Sequence, residues 1–203
     1  MGWSFADHAW WTQTAENQGR GNWKKANKTV AIADPDEWDD EKKDDKSPDD
    51  LVTFNSWLST PPIDISAVDQ KSIKLFFDSS FRFEKPQHFE VHAKFDNDAP
   101  IQILHIMSDE TKDSIAKVTY KTTGKKEDRA TSEANTDFPF IIEVPNPSDA
   151  KKMTFTWAIL NADNDWWWAI DNAKVTGTRG TTDVKPINKL STIWAKIKLQ
   201  TTQ

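Results

Sequence analysis

The 203-residue sequence contains no cysteine, which excludes disulfides, thiolate nucleophiles and cysteine metal centres. That absence leaves the compartment open, because exported domains of bacteria also manage without disulfides. No apolar run approaches the twenty or so residues of a membrane-crossing helix, and a mean hydropathy of −0.73 agrees, so no membrane insertion is expected. There is no basic excess either. Twenty-six Lys and Arg against 32 Asp and Glu leave a net charge of −6, which offers phosphate backbones no attractive field and argues against a nucleic-acid partner. Met1-Gly2-Trp3-Ser4-Phe5 shows no basic n-region and no apolar h-region, so no leader is expected within this stretch. No repeat of fixed period is present, and long helical periodicity is nearly absent.

What remains is a chain with 36% hydrophobic residues and 11 tryptophans, enough for one substantial core. Short apolar or alternating segments bounded by Asp, Asn, Gly and Pro predict strands over 28–33, 52–58, 71–78, 88–95, 101–107, 117–122, 138–143, 153–160 and 167–176. Pro61, Pro62, Pro86, Pro145 and Pro147 fall where strands should stop. Nine strands predict an all-β fold of two packed antiparallel sheets over residues 1–180. Polar stretches over 41–50 and 124–137 read as loops. In the extension 181–203, Leu190, Ile193, Trp194 and Ile197 recur at helical spacing and predict a short docking helix.

Two clusters carry candidate chemistry. From Asp34 to Asp50 the chain holds ten carboxylates and three lysines. Asp34, Asp36 and Asp39 follow the apolar strand TVAIA, and carboxylates alternating at a strand end suit a hard, oxygen-seeking cation such as calcium. The spacing is not that of an EF-hand, and a capped acidic turn is the competing reading. The second cluster is NADNDWWWAIDNAKV, where three tryptophans lead into a strand that carries Asp171 and Asn172. Both are poor strand formers and need compensation, either from the amides of a crossing loop or from the same calcium. Alternation puts Trp167, Ala169, Asp171 and Val175 on one face and Trp166, Trp168, Ile170 and Asn172 on the other.

The blocks WAILNADNDWWWAIDNAKVTG, VAIADPDEWDD, STPPIDIS and LFFDSSFRFE resemble the jelly-roll accessory modules of bacterial exported multidomain proteins. The stretch Ala169–Val175 is also similar to the last strand of MAM-type and concanavalin-like jelly rolls. The resemblance spans residues 3–178 in scattered blocks. It implies a jelly-roll β-sandwich in an extracellular or periplasmic setting, often with a structural calcium, and a binding or adhesive role. MAM domains carry disulfides that this chain lacks, so that likeness bears on architecture only.

Eleven indoles exceed the needs of a core this size, and flat aromatic faces stack on sugar rings as readily as on each other. Trp57 and Trp157 sit inside strand patterns and are expected in the core. Trp10, Trp11, Trp38, Trp166 and Trp168 are the candidate ligand-binding tryptophans. Arg82, charged amid apolar neighbours, would pair with an internal carboxylate or with a ligand, and Arg20 between two glycines is expected at the surface. His88 and His92 share one strand face about 13 Å apart, too far to chelate one zinc between them. No HExxH, GxSxG or P-loop occurs. The expected function is a non-catalytic binding module for a polysaccharide or glycan, with a calcium cofactor. The alternatives are a module docking a neighbouring domain or another protein, and a hydrolase or lyase acting on polysaccharide through paired carboxylates.

Overall fold

A computed structural model describes residues 2–14, 18–35, 54–82, 87–109, 112–130, 137–162 and 166–179. The predicted extension and helix over 181–203 lie outside the described residues. Alternation marks the strands that have one open face. Phe138, Phe140, Ile142 and Val144 are buried while Pro139, Ile141 and Glu143 between them are exposed, the period-two signature of a sheet with one dry face.

Two antiparallel sheets result, as expected. The five-stranded sheet runs β1 (Ser4–Asp7), β2 (Thr29–Ala33), β12 (Trp168–Thr176), β5 (Ile73–Phe81), β10 (Phe138–Val144). The seven-stranded sheet runs β3 (Phe54–Ser59), β11 (Lys152–Ala162), β6 (His88–Phe95), β7 (Ile101–Asp109), β8 (Lys112–Tyr120), β9 (Lys126–Ala130), with β4 (Ile63–Asp64) also paired to β11. The chain changes sheets repeatedly, so the two layers are woven into one antiparallel β-sandwich. Among the described residues no helix is long and apolar enough to cross a membrane.

Between the sheets lies an aromatic seam. Phe81 stacks on Phe138 at 4.3 Å, Phe89 on Trp168 at 4.6 Å and Phe77 on Phe140 at 5.0 Å, while Trp157 meets Phe77 edge-on. A second, smaller core covers the outer face of the five-stranded sheet. There residues 8–14 and 18–28, with α1 (His8–Trp11) and a 3-10 turn at Arg20–Asn22, bring Trp11 and Trp23 onto Val30, Ile32, Trp167 and Ala169. Trp167 and Trp168 therefore feed opposite cores. Each indole N–H is satisfied by one of two adjacent buried serines: Trp168 donates to Ser79 Oγ at 2.8 Å and Trp167 to Ser80 Oγ at 3.0 Å.

Three expectations need correction. Part of the polar stretch 124–137 is strand β9, whose KEDRA sequence pairs with β8 from Ile115 to Thr119. The apolar pattern that marks strands is missing there because β9 is an edge strand with charged side chains. Val175 does not share the Trp167 face: an extra residue between Asp171 and Lys174, with Asn172 at φ 53°, flips the remainder of β12 so that Val175 packs toward the main core. Trp57 is 59% exposed, whereas Trp157 is fully buried as expected, because β3 lies at the sheet edge with its outer face open.

Candidate functional site

The two acidic clusters turn out to be structural fastenings where the structure describes them. Asp34 is buried and takes the Arg20 guanidinium at 2.7 Å, with the Trp11 indole N–H donating to the same oxygen at 3.4 Å. Arg20 is itself fully buried, contrary to the expected surface position. It lies over the Trp11 and Trp167 rings at 5.1 and 5.2 Å and donates to Thr14 Oγ1. A guanidinium between two indoles neutralises the carboxylate that the sequence offered to calcium. Asp171, also buried, accepts from the Asn27 backbone N–H at 2.9 Å. Asn172 donates through Nδ2 to the Lys25 carbonyl at 2.9 Å and to Asp78 at 3.0 Å. The crossing loop supplies hydrogen-bond partners for both of these poor strand formers.

Asp34 and Asp171, two described members of the expected calcium set, do not converge. By the register of β2 on β12, Asp34 and Asp171 stand four positions apart along neighbouring strands, about 13 Å, and one ion cannot bridge that distance. Asp34 already has a cationic partner, and Asn172 is engaged with the Lys25 carbonyl and Asp78. Asp36 and Asp39 lie outside the described residues, as does Trp38.

Of the candidate tryptophans, Trp11 and Trp168 are buried with their indole N–H groups engaged, and neither offers a face to a ligand. The strands and helix that carry them point inward at those positions. Trp10 is 63% exposed on α1, where its backbone N–H is capped by Asp7 at 3.1 Å. Trp166 is half-buried against the outer core, and Arg82 lies directly over its ring at 3.3 Å. The guanidinium covers one face of the ring, so Arg82 and Trp166 act as one stacked pair.

The outer face of the seven-stranded sheet holds what sequence reasoning missed. One row across it reads Trp57, Ala158, Glu90, His105, Thr119, Lys126, each paired to the next by strand register. The row beside it reads Leu160, His88, Met107, Lys117, Asp128, and Thr156 with His92 begins the row on the other side. Three of the chain's four histidines thus gather around Glu90. Glu90 contacts His92 Nε2 at 2.6 Å through one oxygen and approaches His88 Nε2 at 3.7 Å through the other. The His88 and His105 rings meet edge to face at 5.5 Å. Burial pushes the His105 pKa below its ordinary value, against the opposing pull of Glu90. Alternation alone placed His88, Glu90 and His92 on one face; His105 required a register that an irregularity at Val91 and His92 conceals.

No family model matches the chain, and no curated protein matches it. Among solved structures, it is similar to that of TmCBM61 in complex with β-1,4-galactotriose. The overlay has a TM-score of 0.38 at 5% identity and covers 87% of this chain and 88% of that one.

Proposed function

We propose that the chain is a non-catalytic binding module that takes a carbohydrate on the outer face of its seven-stranded sheet. The observation that carries this reading is Trp57: an indole 59% exposed, fixed on a strand rather than a loop, and continued across the sheet by a row of hydrogen-bonding side chains. An exposed indole held on a strand offers a flat apolar face in a fixed orientation, which suits it to stack on a partner. A pyranose offers one apolar face, which stacks on an indole, and a rim of hydroxyls, which Glu90, His92, His105 and Thr119 are chemically equipped to bond. Trp57 and Glu90 lie two strands apart, about 10 Å, room for a sugar residue over Ala158. Exposed Trp10 provides a second indole elsewhere on the surface.

A polysaccharide and glycan array, probed with wild type, Trp57→Ala and Trp10→Ala, tests the reading. The expected result is a glycan signal that Trp57→Ala weakens by about tenfold or more, a loss of at least 1.4 kcal/mol. Glycan binding that Trp57→Ala leaves unchanged removes the outer face from the account. An array silent for wild type overturns the carbohydrate reading and moves the surface to protein docking, which the 40%-exposed Met107 on the same face would serve.

A further inference from the structure

We infer that the outer face of the seven-stranded sheet also carries a binding site for one divalent transition ion of zinc type, with His88, Glu90 and His105 as its protein ligands. One ligand atom from each of the three lies within 4.8 Å of the other two. A tetrahedral zinc with bonds of about 2.0–2.1 Å sets its ligand atoms roughly 3.4 Å apart. Each pair therefore closes by no more than about 1.5 Å, a rotation of side-chain torsions on strands that stay in place. The His88–Glu90 pair is nearly there already, at 3.7 Å.

The backbone explains why the three meet. His88 and Glu90 are two apart on β6 and so point to the same face, and His105 on β7 is the residue directly opposite Glu90. Two imidazoles and one carboxylate suit zinc and its borderline neighbours, whereas calcium and magnesium prefer an all-oxygen set. His92 completes the arrangement without binding the ion. Its Nε2 holds the second Glu90 oxygen at 2.6 Å, which fixes the carboxylate as an outer-shell partner does at metal centres. All of these side chains are half-buried, so the ion would sit on an open surface with its fourth coordination position toward solvent, free for water or for an oxygen of a bound molecule. The site shares a sheet face with Trp57 and does not rest on the carbohydrate reading.

The test uses the full chain without an affinity tag. Isothermal titration with zinc is expected to show one ion per chain, and cobalt substitution is expected to give the strong visible bands of a tetrahedral site. His105→Ala and Glu90→Gln should each weaken zinc binding by at least tenfold, with far-ultraviolet circular dichroism unchanged, and His92→Ala should weaken it less. His8→Ala, the one histidine away from the sheet face, should leave it alone. No zinc uptake by the wild type, an octahedral cobalt spectrum, or uptake that survives His105→Ala would each overturn the assignment. Because the wild-type spectrum alone decides the geometry, a variant that fails to fold does not protect the proposal. Zinc binding with a silent glycan array, or the reverse, separates this site from the carbohydrate reading.

Discussion

Replacing Asp34 by Asn is expected to destabilise the chain by about 3–5 kcal/mol, because removing one partner of a buried ion pair strands the other charge away from water. Arg20 is fully buried and Asp34 is 3% exposed, so neither charge can recover its hydration by a small movement. The 2.7 Å contact is charge-assisted, and the same carboxylate oxygen also receives the Trp11 indole N–H. The Arg20 contacts with the Trp11 and Trp167 rings do not replace it, being worth about 0.5–2 kcal/mol each. For a domain of this size the loss corresponds to a fall of roughly 6–20 °C in Tm. Urea unfolding followed by tryptophan fluorescence measures it directly, since Trp11 and Trp167 flank the pair. Arg20→Met should cost a similar amount. The double variant Arg20→Met/Asp34→Leu should recover part of the loss, because neither member of the pair is then left charged without the other. The series should be run both in calcium and in EGTA. A cost below about 1 kcal/mol would refute the ion-pair account, and one that appears only in calcium would return Asp34 to the role of a metal ligand.

Three further outcomes follow from particular contacts. Ser79→Ala should cost about 1–3 kcal/mol in urea unfolding, since it leaves the buried Trp168 indole N–H without its 2.8 Å acceptor, and a loss under 0.5 kcal/mol would contradict that. Tyr120, the only tyrosine, has its pKa pushed up to about 12 chiefly by burial, with Glu127 adding to it and Arg129 opposing it. Absorbance at 295 nm should therefore stay flat through pH 10–11 while the fold persists, and phenolate formation near pH 10 in folded protein would sink the claim. Burial also holds the His8 pKa below 6.5. The unfolded chain then takes up this proton first as pH falls, so the contribution of His8 is complete above about pH 6.5 and is lost as pH drops toward its folded value. Replacing His8 by Asn should flatten that part of a stability-against-pH curve, and an unchanged slope would show that His8 is not the group responsible.

The strands were legible because burial is periodic in them. HFEVHAKF and FPFIIEV alternate without a break, and their boundaries fall within a residue of expectation. β9 was not legible, since an edge strand with charge on both faces has no apolar period to read. The buried role of Arg20 was hidden for a different reason. Its glycine neighbours suggest a surface turn, and only the return of the chain over β2 and β12 brings Asp34, Trp11 and Trp167 around it. The same applies to the candidate site. One strand face of β6 could be read from spacing, but Trp57 reaches it through a pairing of β3 with the distant β11, and His105 through a hairpin whose register is irregular at Val91 and His92. Acidic composition pointed to calcium, whereas the partners that the fold brings to Asp34 and Asp171 include an arginine and a backbone amide, neither of which composition reveals.

The most direct test of the account is a heteronuclear NMR titration of the full chain with an oligosaccharide drawn from the glycans that bind. Trp57 is the exposed indole on the proposed face, so its side-chain N–H resonance is expected to shift most, together with the ring signals of His92 and His105. Shifts confined to Trp10, or to Trp166 with Arg82, would place the ligand elsewhere and contradict the assignment of the outer face as the binding surface.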